Sequence, residues 1–299
     1  MNQPKEHLTN CPICQHTVFS TFTTCNDYTV SQEEFSIVRC KKCGFAFTNP
    51  RPTEDTIGAY YQSENYISHS NTKKGIIDKV YHLVRNYTLK SKLQLINSLE
   101  SDGNQLLDIG CGTGMFLKIC KTNGWNVTGV EPDSGARTLA IANVINSNIE
   151  SEIWKLDPTK KYDIITMWHV LEHVHQLEKY LAWLSNHLNP NGKVLIAVPN
   201  LESWDAKKYQ RYWAAYDVPR HLYHFNQANI KDLLELSNFK IEKTLPMYFD
   251  SFYVSMLSTK YRDGKINYVE AFLNGLKSNW HARSTTEYSS LIYIASLNQ

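Results

Sequence analysis

Residues 105–114 read Gln-Leu-Leu-Asp-Ile-Gly-Cys-Gly-Thr-Gly. An apolar strand, Gln105–Ile109, leads into a turn with glycines at three alternate positions, and a helix is predicted to begin near Met115. Such glycines let the backbone bend sharply and let a ligand approach without interference from a Cβ atom. A strand, a glycine turn and a helix are the first parts of a βαβ unit, so the sequence predicts an α/β fold.

Outward from this turn, apolar strands alternate with helical sequence, which predicts a parallel sheet. Three more strands are predicted at Asn126–Val130, 162–167 and 193–198. Apolar residues at steps of three and four predict a single helix between the last two strands, ending at the turn 189–192: Val170, Val174, Leu177, Leu181, Leu184 and Leu188. The predicted sheet has seven strands and ends in an antiparallel pair at 240–247 and 291–295, with one helix near 269–276.

The composition is that of a globular protein. The chain has 299 residues, 42% of them apolar, and 31 basic against 29 acidic side chains leave a net charge of +2. This balance excludes a strongly basic nucleic-acid-binding protein. The sequence has no apolar run of about 18 residues that would predict a membrane-spanning helix, and its first ten residues lack the apolar core of a signal peptide. We therefore expect a soluble, cytoplasmic protein.

Three parts are predicted along the chain. Residues 1–50 are polar, hold four of the seven cysteines and end at the turn-forming sequence Asn-Pro-Arg-Pro. Residues 51–99 are predicted to form a helical connector, with a helix over 76–99. Residues 100–299 are predicted to form the main α/β domain.

Four cysteines in the first part have the spacing of a zinc ribbon. They form two Cys-x2-Cys pairs with 25 residues between them: Cys11 with Cys14, and Cys40 with Cys43. Four thiolates around one tetrahedral ion leave no open position, which is typical of a structural Zn²⁺. Four unrelated buried cysteines are the alternative, and Cys25 is left over. Residues 1–60 carry five basic and six acidic side chains. Because phosphate binding requires several Lys or Arg contacts, we expect a scaffold or substrate-docking role and no nucleic-acid partner.

Two acidic residues indicate which ligand the glycine turn binds. Glu131 follows the second strand, where a carboxylate can accept hydrogen bonds from both hydroxyls of a ribose. Asp108 precedes the first glycine, and position 115 is methionine instead of the glycine of the dinucleotide fingerprint. A carboxylate beside the turn repels a pyrophosphate but attracts the ammonium and sulfonium charges of S-adenosylmethionine. The pattern therefore favours S-adenosylmethionine.

With these residues the sequence resembles the class I S-adenosylmethionine-dependent methyltransferases. Their first motif, D/E-x-G-x-G-x-G, matches positions 108–114 at every fixed residue, and the resemblance covers residues 100–245. It implies a Rossmann-like sheet and a glycine loop that wraps the methionine moiety of the cofactor. The cofactor-binding residues it implies are Asp108, Gly110, Cys111, Gly112, Gly114, Glu131, Pro132, Trp168 and His169. The adenine site is less defined, with Trp154 or Asp157 as the candidates.

Histidines follow the predicted strand at residues 162–167. The letters His169-x-x-Glu172-His173 match the H-x-x-E-H pattern of inverted zinc proteases, and two histidines four residues apart in a helix can share a metal ion. The segment, however, lies at the carboxyl end of a strand, where α/β sheets bind ligands. Similar methyltransferases carry a His/Glu-Val-Leu-Glu-His segment there, lining the methionine end of the cofactor. Capping and packing of the helix start by Glu172 and His173 is a further alternative.

An aromatic segment, residues 204–225, follows the predicted strand at residues 193–198. Rigid aromatic side chains build pockets for planar or sugar-like ligands, or pack as a lid. Residues 219–225 read Pro-Arg-His-Leu-Tyr-His-Phe, which resembles a segment of bacterial methyltransferases of this type. The candidate substrate contacts are Arg220, Tyr216 and His224, with Arg220 able to hold a phosphate or carboxylate through two parallel hydrogen bonds.

The expected reaction is an in-line transfer of the methyl group to a small-molecule acceptor. A hydroxyl or carbon acceptor must lose a proton, and histidine suits this task because its pKa lies near neutrality. The candidates for the general base are His221, His169 and His173.

The acceptor is not defined by these motifs. The zinc module joined to a class I domain resembles bacterial sugar C-methyltransferases, and the chain is also similar to ubiquinone-type O-methyltransferases. Sugar C-methyltransferases usually continue into a further domain, whereas only residues 246–299 follow here, which leaves small-molecule O-methylation open. A zinc-ribbon ribosomal RNA methyltransferase and a non-catalytic protein that retains the cofactor fold are the alternatives.

Overall fold

The computed structural model of the chain describes residues 3–61 and 76–298. The strands, in chain order, are β1 (Lys5–Glu6), β2 (Phe19–Asn26), β3 (Glu34–Cys40), β4 (Ala46–Thr48), β5 (Arg51–Pro52), β6 (Gln105–Ile109), β7 (Asn126–Val130), β8 (Asn148–Glu150), β9 (Tyr162–Trp168), β10 (Leu188–Pro199), β11 (Tyr223–His224), β12 (Phe239–Pro246) and β13 (Ser290–Leu297). The α-helices are α1 (Ile76–Asn97), α2 (Met115–Thr122), α3 (Ser134–Asn143), α4 (Leu177–His187), α5 (Trp204–Tyr209), α6 (Gln227–Leu236), α7 (Asp250–Asp263) and α8 (Tyr268–Thr285).

Seven strands form the central sheet in the order β12-β13-β10-β9-β6-β7-β8. Strands β6 to β10 run parallel, and β13 is antiparallel to both β10 and β12. The register places Asp108 of β6 beside Gly129 of β7 and Thr166 of β9, so the carboxyl ends of these strands meet at one edge. The predicted Rossmann-like, seven-stranded sheet with its antiparallel end is confirmed.

Both faces of the sheet are buried, which explains why its strands read as continuous apolar runs. Leu106 belongs to the same buried cluster as Phe116 and Leu117 of α2. Its neighbour Leu107 belongs to the cluster on the opposite face, with Leu181 of α4. This alternation follows from the strand geometry, in which successive side chains point to opposite faces.

The N-terminal residues form a second sheet in the order β11-β4-β3-β2. Strand β11 comes from far along the chain, and its Tyr223 pairs with Phe47 of β4. The ring of Phe45 lies 5.8 Å from that of Tyr223 and 5.5 Å from that of Phe225. The N-terminal part therefore shares a sheet and an aromatic core with the α/β part. In addition, β5 pairs with β1 across the predicted boundary at residue 50. Within the predicted connector 51–99, residues 62–75 lie outside the described residues.

The single helix predicted over residues 170–188 is wrong. Residues Leu171–His173 form a short 3-10 turn, α4 begins only at Leu177, and Leu188 already starts β10. Strand β10 also runs through the predicted turn 189–192, with a shift in its register against β9 between Leu188 and Lys193. The apolar residues before α4 are buried because they line the carboxyl edge of the sheet. Their spacing in the sequence happens to match that of a helix.

The C-terminal segment holds two long helices, α7 and α8, where one short helix near 269–276 was predicted. Their buried faces consist mostly of small side chains: Ser251, Ser255 and Ser258 in α7, and Ala271, Gly275, Ser278 and Ala282 in α8. The helices approach so closely that a Cβ on Gly275 would lie 2.5 Å from the ring of Phe252. The large apolar residues of α8 point outward. Hydrophobic periodicity therefore predicted the wrong length for this helix.

Candidate active site

The glycine turn between β6 and α2 lies at the carboxyl edge of the sheet. Gly110, Gly112 and Gly114 all have positive φ angles, of 73°, 53° and 75°, a backbone region that other residues enter only with strain. A Cβ on Gly110 would lie 2.5 Å from Val170, whereas nothing lies within 4 Å of the Cβ position of Gly112. Cys111 is buried under the turn. The turn therefore leaves space for a ligand beside Gly112, whereas Gly110 and Gly114 on either side of it pack closely against neighbouring residues.

Glu131 ties the end of β7 to this turn. Its Oε2 accepts a hydrogen bond from the Gly112 N–H at 2.7 Å, and its Oε1 accepts one from the Asp133 N–H at 2.9 Å. Burial raises the pKa of the Glu131 carboxyl, and these backbone donors partly oppose that shift. Pro132 follows directly, and its carbonyl accepts a hydrogen bond from Arg137. The structure thus brings Glu131 and the glycine turn together as the sequence predicts.

Asp108 lies beneath the turn and is almost fully buried. Burial raises its pKa to about 7, although the Thr166 hydroxyl donates a hydrogen bond to it at 2.7 Å. Lys92 of α1 lies close enough to interact with this carboxylate, and burial lowers the Lys92 pKa to about 8. Sequence reasoning missed Lys92, which stands near no motif in the chain, and Thr166, which lies within the strand that precedes His169.

An aromatic wall stands beside Asp108. The rings of Trp168 and Phe116 meet edge to face at 5.8 Å, and the Lys92 Nζ lies 4.1 Å from the Trp168 ring. The Trp168 Nε1 is buried and has no hydrogen-bond partner among the described residues. A buried donor without a partner is costly, so this N–H marks a place where a ligand's acceptor fits.

His169 lies between two carboxylates. Its Nδ1 is 3.3 Å from Glu172 Oε1, and its Nε2 is 3.0 Å from Asp250 Oδ2 at the start of α7. Burial alone would lower the pKa of His169, but hydrogen bonds to Asp250 and Glu172 outweigh it and raise the pKa to about 10. The protonated ring has no free nitrogen, so His169 is a poor candidate for the general base.

The helix proposed for the H-x-x-E-H pattern does not form. His169 has a φ of 58° and precedes the 3-10 turn that carries Glu172 and His173. His173 instead meets His221, with ring centroids 4.6 Å apart and nearly perpendicular. Burial lowers the pKa of His173 to about 4.

Arg220 is a buried structural residue, which corrects its predicted role in substrate binding. Its side chain is 1% exposed and pairs with Asp27 at 3.0 Å and with Asp217 at 2.7 Å. Its Nη1 donates to the Tyr60 carbonyl at 2.8 Å. All three guanidinium nitrogens are hydrogen-bonded within the protein, so none is left for a phosphate or carboxylate of a ligand.

The other two candidate substrate contacts are buried as well. His224 Nε2 lies 3.1 Å from the Thr48 hydroxyl, and burial holds the pKa of His224 well below its usual value. Tyr216 packs edge to face against Trp213 and His224. These residues belong to the core between the aromatic segment and the N-terminal sheet.

The two residues suggested for the adenine site follow β8. Trp154 is half-exposed, with its ring 6.2 Å from that of Tyr180. Asp157 accepts two hydrogen bonds from Thr159 within its own turn, which lower the Asp157 pKa.

The four predicted zinc ligands converge in the N-terminal part. The Sγ atoms of Cys11 and Cys43 are 3.6 Å apart, as are those of Cys14 and Cys40, and all four lie within 4.8 Å of one another. Zn–S bonds of about 2.3 Å in a tetrahedron separate the sulfurs by about 3.8 Å, so this arrangement fits a zinc ion. Gly44 follows with a φ of 74°.

Comparisons with known proteins agree with this geometry. A family model of a methyltransferase domain matches residues 81–244, more than half of the chain. The chain belongs to this methyltransferase family.

Relatives and a solved structure support the same assignment. The methyltransferase is 28% identical over 199 residues to a ubiquinone biosynthesis O-methyltransferase of Rickettsia bellii, covering 59% of this chain and 79% of that one. It is 30% identical over 141 residues to the protein of that name from Rickettsia felis, covering 45% and 58%. Magnesium protoporphyrin IX methyltransferase from Synechocystis, solved with bound SAH, shares the fold with a TM-score of 0.52 and 14% identity, over 80% of this chain and 97% of that one.

The methyltransferase is therefore an enzyme that uses S-adenosylmethionine as its cofactor. The open space beside Gly112 and the unpartnered Trp168 Nε1 fit such a ligand at the carboxyl edge. Among the described residues of the methyltransferase, no helix is both long and apolar enough to cross a membrane.

Proposed function

We propose that this methyltransferase transfers the methyl group of S-adenosylmethionine to a small-molecule acceptor at an oxygen or carbon atom. One observation carries the proposal. The glycine turn with Asp108 and Glu131 lies at the same edge of the sheet as the group formed by Glu172, His173 and His221. Two Rickettsia relatives are named as O-methyltransferases, which supports a small-molecule acceptor.

The proposed cofactor contacts follow from the polar groups at this edge. Glu131 accepts hydrogen bonds from the ribose hydroxyls, and the turn from Gly110 to Gly114 surrounds the methionine moiety. Asp108, with its pKa near 7, becomes fully ionised when a cation approaches, because the positive charge stabilises the carboxylate. When bound, S-adenosylmethionine supplies an electrophilic methyl group. The protein then holds donor and acceptor in line, which contributes much of the rate acceleration in such reactions.

The proposed general base is His221. Of the three predicted candidates, His169 is held in its protonated form, and the pKa of His173 is about 4. His221 Nδ1 lies 2.8 Å from the Ala215 carbonyl, which can only accept a hydrogen bond, so Nδ1 carries the hydrogen and Nε2 is left to take a proton. Asp217 Oδ2 lies 3.9 Å from that Nε2 and stabilises the imidazolium that forms.

The test is methyl transfer from labelled S-adenosylmethionine to a panel of phenolic acids, sugar nucleotides and ribosomal RNA. We expect label in a small molecule, and His221→Asn should lower turnover by about 10²–10⁴-fold with unchanged cofactor affinity. His175→Gln is the matched control, since His175 binds the Pro52 carbonyl outside the cluster. Label in RNA alone, or full turnover of His221→Asn, contradicts the proposal.

We also propose that Cys11, Cys14, Cys40 and Cys43 bind a structural Zn²⁺, that residues 1–50 form the zinc module, and that residues 51–99 connect it to the methyltransferase domain at 100–299. Elemental analysis should give one zinc per chain. Cys40→Ser should lose the metal and lower the melting temperature, whereas Cys25→Ser should keep the metal because Cys25 lies outside the four-sulfur group. Protein purified without zinc contradicts this proposal.

A further inference from the structure

Glu172, His173 and His221 form a second group with the composition of a metal site. One carboxylate oxygen and one ring nitrogen from each histidine lie within 4.8 Å of one another. Bonds of about 2.0–2.2 Å to one ion allow two ligand atoms to be at most about 4.4 Å apart. Side-chain shifts of a few tenths of an ångström therefore suffice to close this group around a cation.

Only one of the two oxygens of the Glu172 carboxylate contacts a polar group in the part of the chain that the structure describes. Its Oε1 contacts His169, but Oε2 is fully buried and has no hydrogen-bond partner among the described residues. A buried carboxylate oxygen without a partner is costly unless a proton donor or a cation meets it.

Both histidines are oriented by backbone carbonyls. His173 Nδ1 lies 3.0 Å from the Arg220 carbonyl, and His221 Nδ1 lies 2.8 Å from the Ala215 carbonyl. A carbonyl can only accept a hydrogen bond, so Nδ1 of His221 carries the hydrogen, and the neutral His221 ring keeps its lone pair on Nε2. His173 Nδ1 also lies 2.9 Å from the Tyr61 hydroxyl. Metal-binding histidines are held in this way by hydrogen bonds from their second nitrogen.

We propose that Glu172, His173 and His221 bind a divalent transition-metal ion, separate from the four-cysteine zinc site. Two imidazoles and one carboxylate suit Zn²⁺, Fe²⁺ or Mn²⁺, and three protein ligands leave open positions for an exogenous oxygen. This inference rests on the proposed function and deepens it. An acceptor hydroxyl bound to the ion loses its proton more readily, whereas His221 takes that proton in the metal-free protein. The acceptor class is therefore one that presents a hydroxyl or enol oxygen to a metal.

The experiment measures Mn²⁺ binding to the full chain by electron paramagnetic resonance. Mn²⁺ prefers oxygen and imidazole ligands to thiolates, so it should not bind at the four-cysteine site. We expect one Mn²⁺ per chain, with electron–nuclear couplings to two imidazole nitrogens. Glu172→Gln and His221→Asn should each weaken binding by at least about 10-fold, and His175→Gln should leave it unchanged.

Two results overturn the metal proposal: no Mn²⁺ binding at millimolar concentration, or equal binding by the wild type and both variants. If circular dichroism shows that the variants do not fold, the nitrogen couplings of the wild type decide, and their absence also overturns it. Methyl transfer is measured in parallel, with and without added Mn²⁺. Undiminished methylation of a small molecule without Mn²⁺ binding refutes the metal site and leaves the proposed function intact. Mn²⁺ binding with no small molecule methylated supports the site and refutes the proposed function.

Discussion

Replacing Arg220 tests whether this residue stabilises the fold or binds the substrate. The guanidinium lies between Asp27 of the N-terminal part and Asp217 of the aromatic segment, and it also donates to the Tyr60 carbonyl. In Arg220→Met, a side chain of similar length fills the space but leaves the two carboxylates without their cation. We expect loss of stability and no selective loss of substrate affinity.

The magnitude follows from the burial of the partners. Breaking a buried ion pair by removing one member costs about 3–5 kcal/mol. Asp27 is fully buried, but it keeps four hydrogen bonds from its own loop, donated by Thr29, Val30 and Ser31. The cost should therefore lie near the lower end, at about 3 kcal/mol. At about 2–3 °C per kcal/mol for a large domain, the melting temperature should fall by about 6–9 °C.

Thermal unfolding followed by circular dichroism checks this expectation, with Arg211→Met as the matched control. Arg211 also links the two parts of the chain, through a 3.5 Å contact with Glu34, but both side chains are about half exposed. A surface pair of this kind contributes about 0–1 kcal/mol, so this variant should melt close to the wild type. An Arg220→Met protein with unchanged melting temperature and a raised KM for the acceptor would refute the structural role.

Three further expectations concern the cofactor edge. Glu131→Gln should weaken S-adenosylmethionine binding about 10–100-fold in calorimetry, because hydrogen bonds to a charged group are worth about 1.5–3 kcal/mol; Glu150→Gln on the neighbouring strand is the control, and equal affinities of the two variants count against the ribose contact. Gly110→Ala should abolish cofactor binding and destabilise the fold more than Gly124→Ala does. Both positions have positive φ, but only the first has a side chain 2.5 Å from the added Cβ, so equal melting temperatures contradict the close packing. The pKa of His169 is raised to about 10 in the folded protein, against about 6.5 in the unfolded chain. Its contribution to stability is thus complete below about pH 6.5 and is lost as the pH rises through 10. Urea unfolding should show the difference between wild type and His169→Gln shrinking from pH 7 to pH 10, and a constant difference speaks against a charged His169.

Several features could be predicted from the sequence because each depends on residues that are close along the chain. The glycine turn after β6 is one, since its alternate glycines and preceding Asp108 act within seven residues. The position of Glu131 at the end of β7 is another, because parallel strands bring their carboxyl ends to one edge. The four cysteines converge because each short Cys-x2-Cys knuckle holds its two thiols close together.

Other predictions failed where side chains distant in the sequence meet. Arg220 looked free to bind a ligand because Asp27, 193 residues away in the chain, gives no local signal. His169 looked like a base because its partner Asp250 lies 81 residues away. Helices α7 and α8 were underestimated because they pack through serine, alanine and glycine, which carry no hydrophobic period.

The βαβ fold, the cofactor turn and the cysteine group follow from local backbone preferences and strand order, so they can be predicted from the residues alone. Which histidine is charged, which arginine is buried and which three side chains form the second group beside the cofactor edge become clear only in the folded chain. Those properties depend on burial and on the charges of neighbours, and neither exists until the separate segments of the chain pack against one another.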